Sequence, residues 1–460
     1  MLRAQSSVTH GQLIEALKET RARTLELVDD LNDEQLMGPR LKIVNPLRWE
    51  IGHLAWFQEF WLLRHLAKQP AILKHGDELY DSARVAHDTR WDLPLLGRDA
   101  NLSYMSQVLE RVVEQATNGS SNLTDAQGYD QEYFLNLVLL HEQMHGEAIA
   151  YTRQTLTYSS PAIRIATVDV PGASKMHRPK QQPTLNQSET YLTGDAEIAG
   201  GTFLIGSASQ APFVFDNEQP AYEVEIGPFA ISRTAVSNGE FKQFVEDAGY
   251  ERSELWTAAG WQWRTSVGAE HPVYWHRDGS GWLRRNFDEW VTLDERLPVI
   301  HVNWYEADAY CRWARRRLPT EVEWEMAASV EPAEEDRDLT TPKRKYPWGA
   351  ESPTVERANL DWRAMGCIPV DALLSGDSAF GCRQMIGNVW EWTASNFKPY
   401  PGFVAGPYKD YSAPWFGDHK VLRGGCWVTR SRLINNTYRN FYPPHRRDVW
   451  AGLRTCALKA

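Results

Sequence analysis

The sequence predicts two domains: an N-terminal all-α four-helix bundle and a C-terminal α+β module with a high loop fraction. Three observations carry this. A length of 460 residues exceeds what one hydrophobic core usually organises, so two or three domains are expected. Before residue 160 apolar residues recur at helical spacing in four segments, whereas beyond residue 190 short β-like runs alternate with Gly and Pro turns. Most of the 20 tryptophans lie beyond residue 250, which marks an aromatic-rich module there.

The elements follow in order. Residues 7–32 read as an amphipathic helix on Leu13, Ile14, Leu17, Leu25 and Val28, with Arg21 the one polar interruption of the stripe. A second helix opens at Asn45-Pro46, a cap residue followed by Pro at the first helical position. It continues through Trp49, His53, Trp56, Phe57, Phe60 and Leu63, with His53 on the apolar face. Residues 80–94 mix Arg, His and aromatic residues with little periodicity, and the segment is long enough to expect a functional loop. A third helix is expected over 101–117, broken by Gly119-Ser120-Ser121-Asn122, and a fourth over 130–157.

A join rich in Pro, Ser, Gln and Lys, with Pro161, Pro171, Pro179 and Pro183, follows. The expected domains are therefore residues 1–160 and 191–460, with 161–190 as linker. In the second domain, strands are expected over 202–205 and 222–226 and helices over 237–248, 304–316 and 320–328. No internal repeat is evident, and the mixture indicates an α+β module.

Composition narrows the function classes. With 42% hydrophobic and 24% charged residues the chain reads as soluble and globular. It has no apolar run near the roughly 20 residues that span a bilayer, so no membrane partner is expected. The start, Met1 to Ser7, lacks the apolar core of a secretory signal. A net charge of −11 argues against non-specific nucleic-acid binding. The five cysteines, Cys311, Cys367, Cys382, Cys426 and Cys456, are odd in number, scattered and without a Cys-x-x-Cys pair. That pattern suits a reducing cytoplasm, and Asn118 and Asn122 then read as polar loop residues, not glycosylation acceptors.

The chemistry centres on His141 and His145. Residues four apart stand on one face of a helix, one turn apart, so both imidazoles can reach one metal ion. His53, on a separate helix, supplies the third ligand that a bundle site requires. Three imidazoles suit Zn, Fe, Cu or Ni, and ligand softness does not choose among them. Glu147 lies about 200° around the helix from His145, which indicates a supporting role and not ligation. The string His141-Glu142-x-x-His145 also spells the zinc-hydrolase signature, with Glu142 as general base. The longer metzincin form would need glycine and histidine where Ala148 and Tyr151 stand.

A resemblance covers nearly the whole chain. His53 on one helix and His141-x3-His145-x-Glu147 on another resemble the DinB-like bundle of the ergothioneine-synthase type of non-haem iron enzyme. The second half resembles the formylglycine-generating-enzyme (sulfatase-modifying-factor) fold, a relative of the C-type lectins. Six motifs carry that likeness in order: 200–207, 298–304, 317–325, 346–349, 387–393 and 422–427. Trp313, Trp324, Trp390 and Trp392 are expected in its core. Formylglycine generation needs a reactive cysteine pair after the Arg-Gly-Gly motif, and here Cys426 stands alone with Cys456 distant, so that activity is not expected.

The resemblance implies that the three histidines hold Fe(II), leaving positions open for substrate and O2. It implies hercynine, the betaine of histidine, as first substrate, with aromatic and polar residues near the C-terminus enclosing the quaternary ammonium. Trp415, Phe441, Tyr442 and Phe403 are available for this. Members using γ-glutamylcysteine carry Arg-Asn-Trp-Asp where this chain has Arg439-Asn440-Phe441-Tyr442, and Gln where it has Met144. The proton-donating tyrosine of those members falls at Phe403 by ungapped counting, with Tyr400, Tyr408 and Tyr442 as other candidates. Tyr in place of an amino-acid-binding Asp is consistent with a neutral, sugar-like donor. The expected activity is therefore oxidative C–Se bond formation between hercynine and a selenosugar, leading to selenoneine. The alternatives are an ergothioneine-type enzyme using cysteine or γ-glutamylcysteine, a zinc hydrolase, and a non-catalytic module of lectin-like fold. Arg84 and Arg90 are the expected loop contacts to the donor; the competing expectation for both is an ion pair with Asp81, Asp88 or Asp92.

Overall fold

A computed structural model of the chain describes residues 10–118, 123–164, 192–207, 213–332 and 343–458. They form two compact units, the first holding the described residues up to 164 together with Phe213, and the second those of 192–207 and from 214 onward. Most of the expected linker, including Pro171, Pro179 and Pro183, lies outside the described residues, as do the start of the first expected helix and the expected break at 119–122.

The first unit is built on α1 (His10–Glu26), α2 (Asp33–Met37), α3 (Leu47–Gln58), α4 (Gly76–Tyr80), α5 (Arg98–Asn118) and α6 (Gln131–Thr155). The long helices make the bundle: α3 packs on α5 and α6, and α1 packs on α6 and α5. Asp130 starts α6 by accepting the Tyr133 N–H at 2.9 Å, which satisfies one of the free amides of the first turn. At α3 the cap is Pro46, with no side-chain cap bond. Asn45, the expected cap, instead donates its amide to Glu50 at 2.5 Å and accepts from Arg90 at 2.6 Å. The demand of a buried carboxylate outweighs that of an end-of-helix amide. Past Gln58 the helix widens to a π-helix over Glu59–Leu66.

Arg21 is no interruption of the α1 stripe. It is buried, and its Nε and Nη2 donate to the two oxygens of buried Glu142 at 2.7 and 3.1 Å while Nη1 donates to the Met105 carbonyl at 2.6 Å. Gln58 adds a fourth bond, to Glu142 Oε2 at 2.7 Å. A charged side chain on a buried face is stable only when its partners come with it, and here they come from α3, α5 and α6.

The second unit contains β1 (Asp195–Ile198), β2 (Gly201–Ile205), β3 (Tyr222–Ile226), β4 (Phe229–Ser232), β5 (Trp275–Asp278), β6 (Gly281–Asn286), β7 (Glu289–Thr292), β8 (Arg316–Arg317), β9 (Trp390–Asn396), β10 (Lys420–Arg423), β11 (Asn440–Tyr442), β12 (Ala451–Leu453) and β13 (Cys456–Ala457). One sheet runs β1-β4-β13-β8, another β11-β10-β9-β12, and β2-β3 and β5-β6-β7 are smaller antiparallel sheets. In the second of these, β10 is antiparallel to β9 and β11, and β12 is parallel to β9. The helices are α7 (Asn238–Glu246), α8 (Ala258–Val267), α9 (Trp304–Trp313) and α10 (Glu321–Ser329). Three of them open on reciprocal capping boxes, Ser237/Glu240, Asn303/Glu306 and Thr320/Glu323.

Trp324, Trp390 and Trp392 lie in the core as expected, but Trp313 is half-buried, its indole N–H donating to Asp247 at 2.7 Å. The core also holds charge. Glu391 accepts from the Trp324 indole at 2.7 Å and from Arg454 at 2.9 and 3.1 Å. All five cysteines are buried and outside any disulfide.

Glu218 accepts from Thr437 at 2.6 Å, and burial, reinforced by Glu325 and opposed by Thr437 and Arg423, pushes its carboxyl up from 4.5 to about 7. A raised acid is more protonated in the folded than in the unfolded chain. Its contribution is therefore full below 4.5 and lost as pH rises through about 7. Relative to Glu218→Gln, the parent should lose about 3 kcal/mol between pH 4.5 and 7.5; urea unfolding of both at the two pH values measures it. Arg21→Met should cost about 3–5 kcal/mol by stranding Glu142, and adding Glu142→Met should recover much of the loss. A double-mutant cycle by chemical denaturation reads that coupling.

Candidate metal centre and aromatic strand

His53 on α3 and His141 and His145 on α6 come together in the first unit, each offering a ring nitrogen, all within 4.8 Å of one another. Among the described residues this is the only cluster of that kind. His53 and His141 bring their Nε2 atoms to 3.3 Å. The other ring nitrogens of two of the three are committed outward. His53 Nδ1 meets the Tyr80 carbonyl at 2.7 Å, and His145 Nδ1 bonds to Glu50. A carbonyl and a carboxylate can only accept, so both Nδ1 atoms carry a proton, and in the neutral ring this tautomer leaves the Nε2 lone pair for a cation.

Packing fixes the rings. Trp49 stacks on His53 at 4.6 Å with planes 10° apart, and Phe57 stacks on His141 at 3.5 Å and 7°. Gly52 makes the Tyr80 bond possible: a Cβ there would stand 2.2 Å from the Tyr80 ring, so any other residue would displace the carbonyl that His53 needs. Burial, with the neighbouring His145, pushes His53 down to about 3 and His141 well below its usual range. Both are therefore neutral at physiological pH, the form that ligates metal. Three clustered imidazoles, two of them backed by acceptors, fit a divalent transition metal.

Glu50 was not singled out by the sequence. Burial by itself would raise its carboxyl, but His145, Asn45 and His53 together hold it down, to about 2. Its position three residues before His53 was a usable signal, since i and i+3 share a helix face. Glu142, by contrast, has both oxygens occupied by Arg21 and Gln58. It stands one residue, about 100°, around the helix from His141, and no oxygen is left to serve as a hydrolytic base. Glu147 is buried on the same helix.

The loop residues divide. Arg84 is exposed and pairs with Asp81 at 3.1 Å. Arg90 turns inward: it donates to Asn45 at 2.6 Å and to the Val85 carbonyl at 3.2 Å, and its guanidinium lies 3.7 Å from the Trp49 ring centroid. This braces the site from behind. Met144 is half-buried between the two histidines of α6.

In the second unit, the residues expected to meet substrate gather about β11, at the edge of its sheet. Phe441 stacks on Phe397 at 3.9 Å and 11°, with Tyr411 and His419 edge-on at 5.8 and 5.9 Å. Trp415 is 44% exposed, with its ring 5.3 Å from His419. Asn440 caps the strand by accepting the Phe441 N–H at 2.9 Å, and Arg446 lies 5.0 Å from the half-buried Tyr442 ring. Two expectations fail. Arg439 is fully buried: it grips Glu321 with two bonds of 3.0 Å and donates to the Asn217 and Lys398 carbonyls. Four of its five N–H donors are thereby engaged within the protein, and it anchors the strand from inside the core. Phe403, packed edge-on against Phe416 at 5.1 Å, has no exchangeable proton and cannot be a proton donor.

Comparison with known proteins agrees with this architecture. Residues 16–149 match the DinB superfamily and residues 181–459 the sulfatase-modifying factor enzyme 1-like domain. The chain is 37% identical over 451 residues to a hercynine oxygenase of Mycobacterium tuberculosis, covering 96% of this chain and 98% of that one. It is 34% identical over 456 residues to a hercynine oxygenase of Mycolicibacterium smegmatis, covering 97% and 99%. A formylglycine-generating enzyme of Streptomyces coelicolor is 31% identical over 275 residues, 53% of this chain and 81% of that one. With both domains present and the alignment running nearly end to end, the chain belongs to the hercynine-oxygenase family, the ergothioneine-synthase-like proteins that join a DinB bundle to a sulfatase-modifying-factor domain.

Proposed function

We propose that this chain is an Fe(II)- and O2-dependent cytoplasmic oxidoreductase that joins C2 of the hercynine imidazole to the selenium of a selenosugar, as a selenoneine synthase does. The observation that carries the reading is the convergence of His53, His141 and His145 in a chain alignable along 96% of its length with a hercynine oxygenase. Bound at these histidines, Fe(II) would supply the activation of O2 that oxidation at an imidazole carbon requires.

The remaining work falls to the chain. Neutral His53 and His141 keep the site free of competing charge. The trimethylammonium group suits the aromatic faces of Phe441 and Trp415. Tyr442 offers a hydroxyl, not the carboxylate of the thiol-peptide enzymes, and so suits a neutral sugar better than a donor amino group. With Phe403 ruled out by its chemistry, the Tyr442 phenol is assigned as proton donor. Arg84, whose side chain is 67% exposed, is the loop cation left to meet the donor. A second reading, an ergothioneine-type enzyme taking cysteine or γ-glutamylcysteine, is favoured by the full-length likeness to hercynine oxygenases. The occupied Glu142 disfavours the zinc hydrolase.

His141→Ala and His145→Ala should each lose iron stoichiometry and hercynine-stimulated O2 uptake, because neither helix offers a replacement imidazole. Full iron retention in both variants would sink the three-histidine assignment. For the donor, a competition of selenosugar against γ-glutamylcysteine, read by mass spectrometry, should give the selenium product in excess. Preference for the thiol peptide would install the second reading.

A further inference from the structure

We propose that Glu50 is a positioning residue of the metal site: it fixes the tautomer and aim of His145 and makes that imidazole a stronger donor than His53, while Asn45 and Arg90 hold the carboxylate in place. The inference rests on the three-histidine reading above. Glu50 and His53 stand one turn apart on α3, so the helix that delivers one ligand also delivers the group that orients another. One carboxylate oxygen takes the His145 Nδ1 proton bond, and the other accepts from Asn45 at 2.5 Å.

Charge is the second argument. Glu50 is 2% exposed, and among the described ion pairs its partner is His145, with no Arg or Lys. A buried carboxylate without a cationic side chain is costly, and a glutamine would serve Asn45 at lower cost. The charge is therefore placed for the imidazole and for the cation the imidazole would hold. His53 differs, since its outward proton goes to a neutral carbonyl. A carboxylate draws on the Nδ1 proton more strongly than a carbonyl does and raises the basicity of Nε2, so the ligands are electronically unequal.

Arg90 links the two arms of the support. It donates to Asn45, which holds Glu50, and lies over Trp49, which stacks on His53. Through one guanidinium, the 81–94 loop bears on two of the three ligands.

The test is Co(II) and anaerobic Fe(II) titration of the full chain, with the Co(II) visible spectrum as probe of ligand field. Glu50→Gln keeps size and removes charge; it should weaken Co(II) binding about 10–100-fold and shift the Co(II) bands. Asn45→Ala should move both in the same direction by less, and Glu50→Asp should restore part of the affinity. Binding by Glu50→Gln within about twofold of the parent, with an unchanged spectrum, would overturn the inference whatever happened to apo-protein stability. A parent chain that takes up neither metal would overturn the three-histidine reading itself and this inference with it.

Discussion

The first unit depends on holding three imidazoles close together inside a helical bundle. Imidazoles this close cannot all be protonated, and burial shifts them further toward the neutral form, as the depressed values of His53 and His141 reflect. Neutral rings still need their outward N–H groups satisfied, and this requirement organises their surroundings. Tyr80 ends α4 with its carbonyl aimed at His53, Gly52 clears space for the Tyr80 ring, and Glu50 faces His145. Each accommodation draws in the next, since buried Glu50 needs Asn45 and Asn45 in turn receives Arg90. The network leads away from the histidines to a loop that sequence periodicity leaves unstructured.

How much of this is legible in the sequence follows from how local each signal is. The His141/His145 spacing is a property of one helix and can be read directly. The pairing with His53 needs only the assumption of a bundle. Arg21 looks like a flaw in an apolar stripe because its partner Glu142 lies 121 residues away, and no window of periodicity sees that far. The same pair settles a second question, since Glu142 cannot be both a buried counter-ion and a general base. Asn45 misleads for a related reason. Its sequence context is that of a cap, but tertiary burial of Glu50 claims its amide.

In the second unit the motifs are legible as a fold signature, yet their chemistry is mostly ionic and not aromatic. Glu321 holds Arg439, Glu325 holds Arg423 and Lys343, and Glu391 holds Arg454. These carboxylates come from segments in which the tryptophans attract attention first. Packing Trp324 against such groups works because its indole N–H is itself a donor, to Glu391. The glycines of the Arg-Gly-Gly motif are equally structural. Gly424 has φ +96°, and a Cβ there would stand 2.6 Å from the Met385 carbonyl, so the turn admits no side chain.

Arg439 shows why a matched motif does not translate residue by residue into ligand contacts. Its four protein bonds and its position over Tyr400, 4.1 Å from the ring centroid, fix where β11 begins. Once that end is fixed, antiparallel pairing with β10 places Phe441 opposite Val421 and Tyr442 opposite Lys420. Successive strand residues point to opposite faces, so with the register pinned, exchange of the last two residues changes the chemistry each face presents without moving the strand. On the proposed function, an anchored Arg439 would let positions 441 and 442 set donor preference at little structural cost. On the reading proposed here, Phe441 and Tyr442 are where this chain parts from the thiol-peptide enzymes, and the burial of Arg439 is what leaves the fold indifferent to that change.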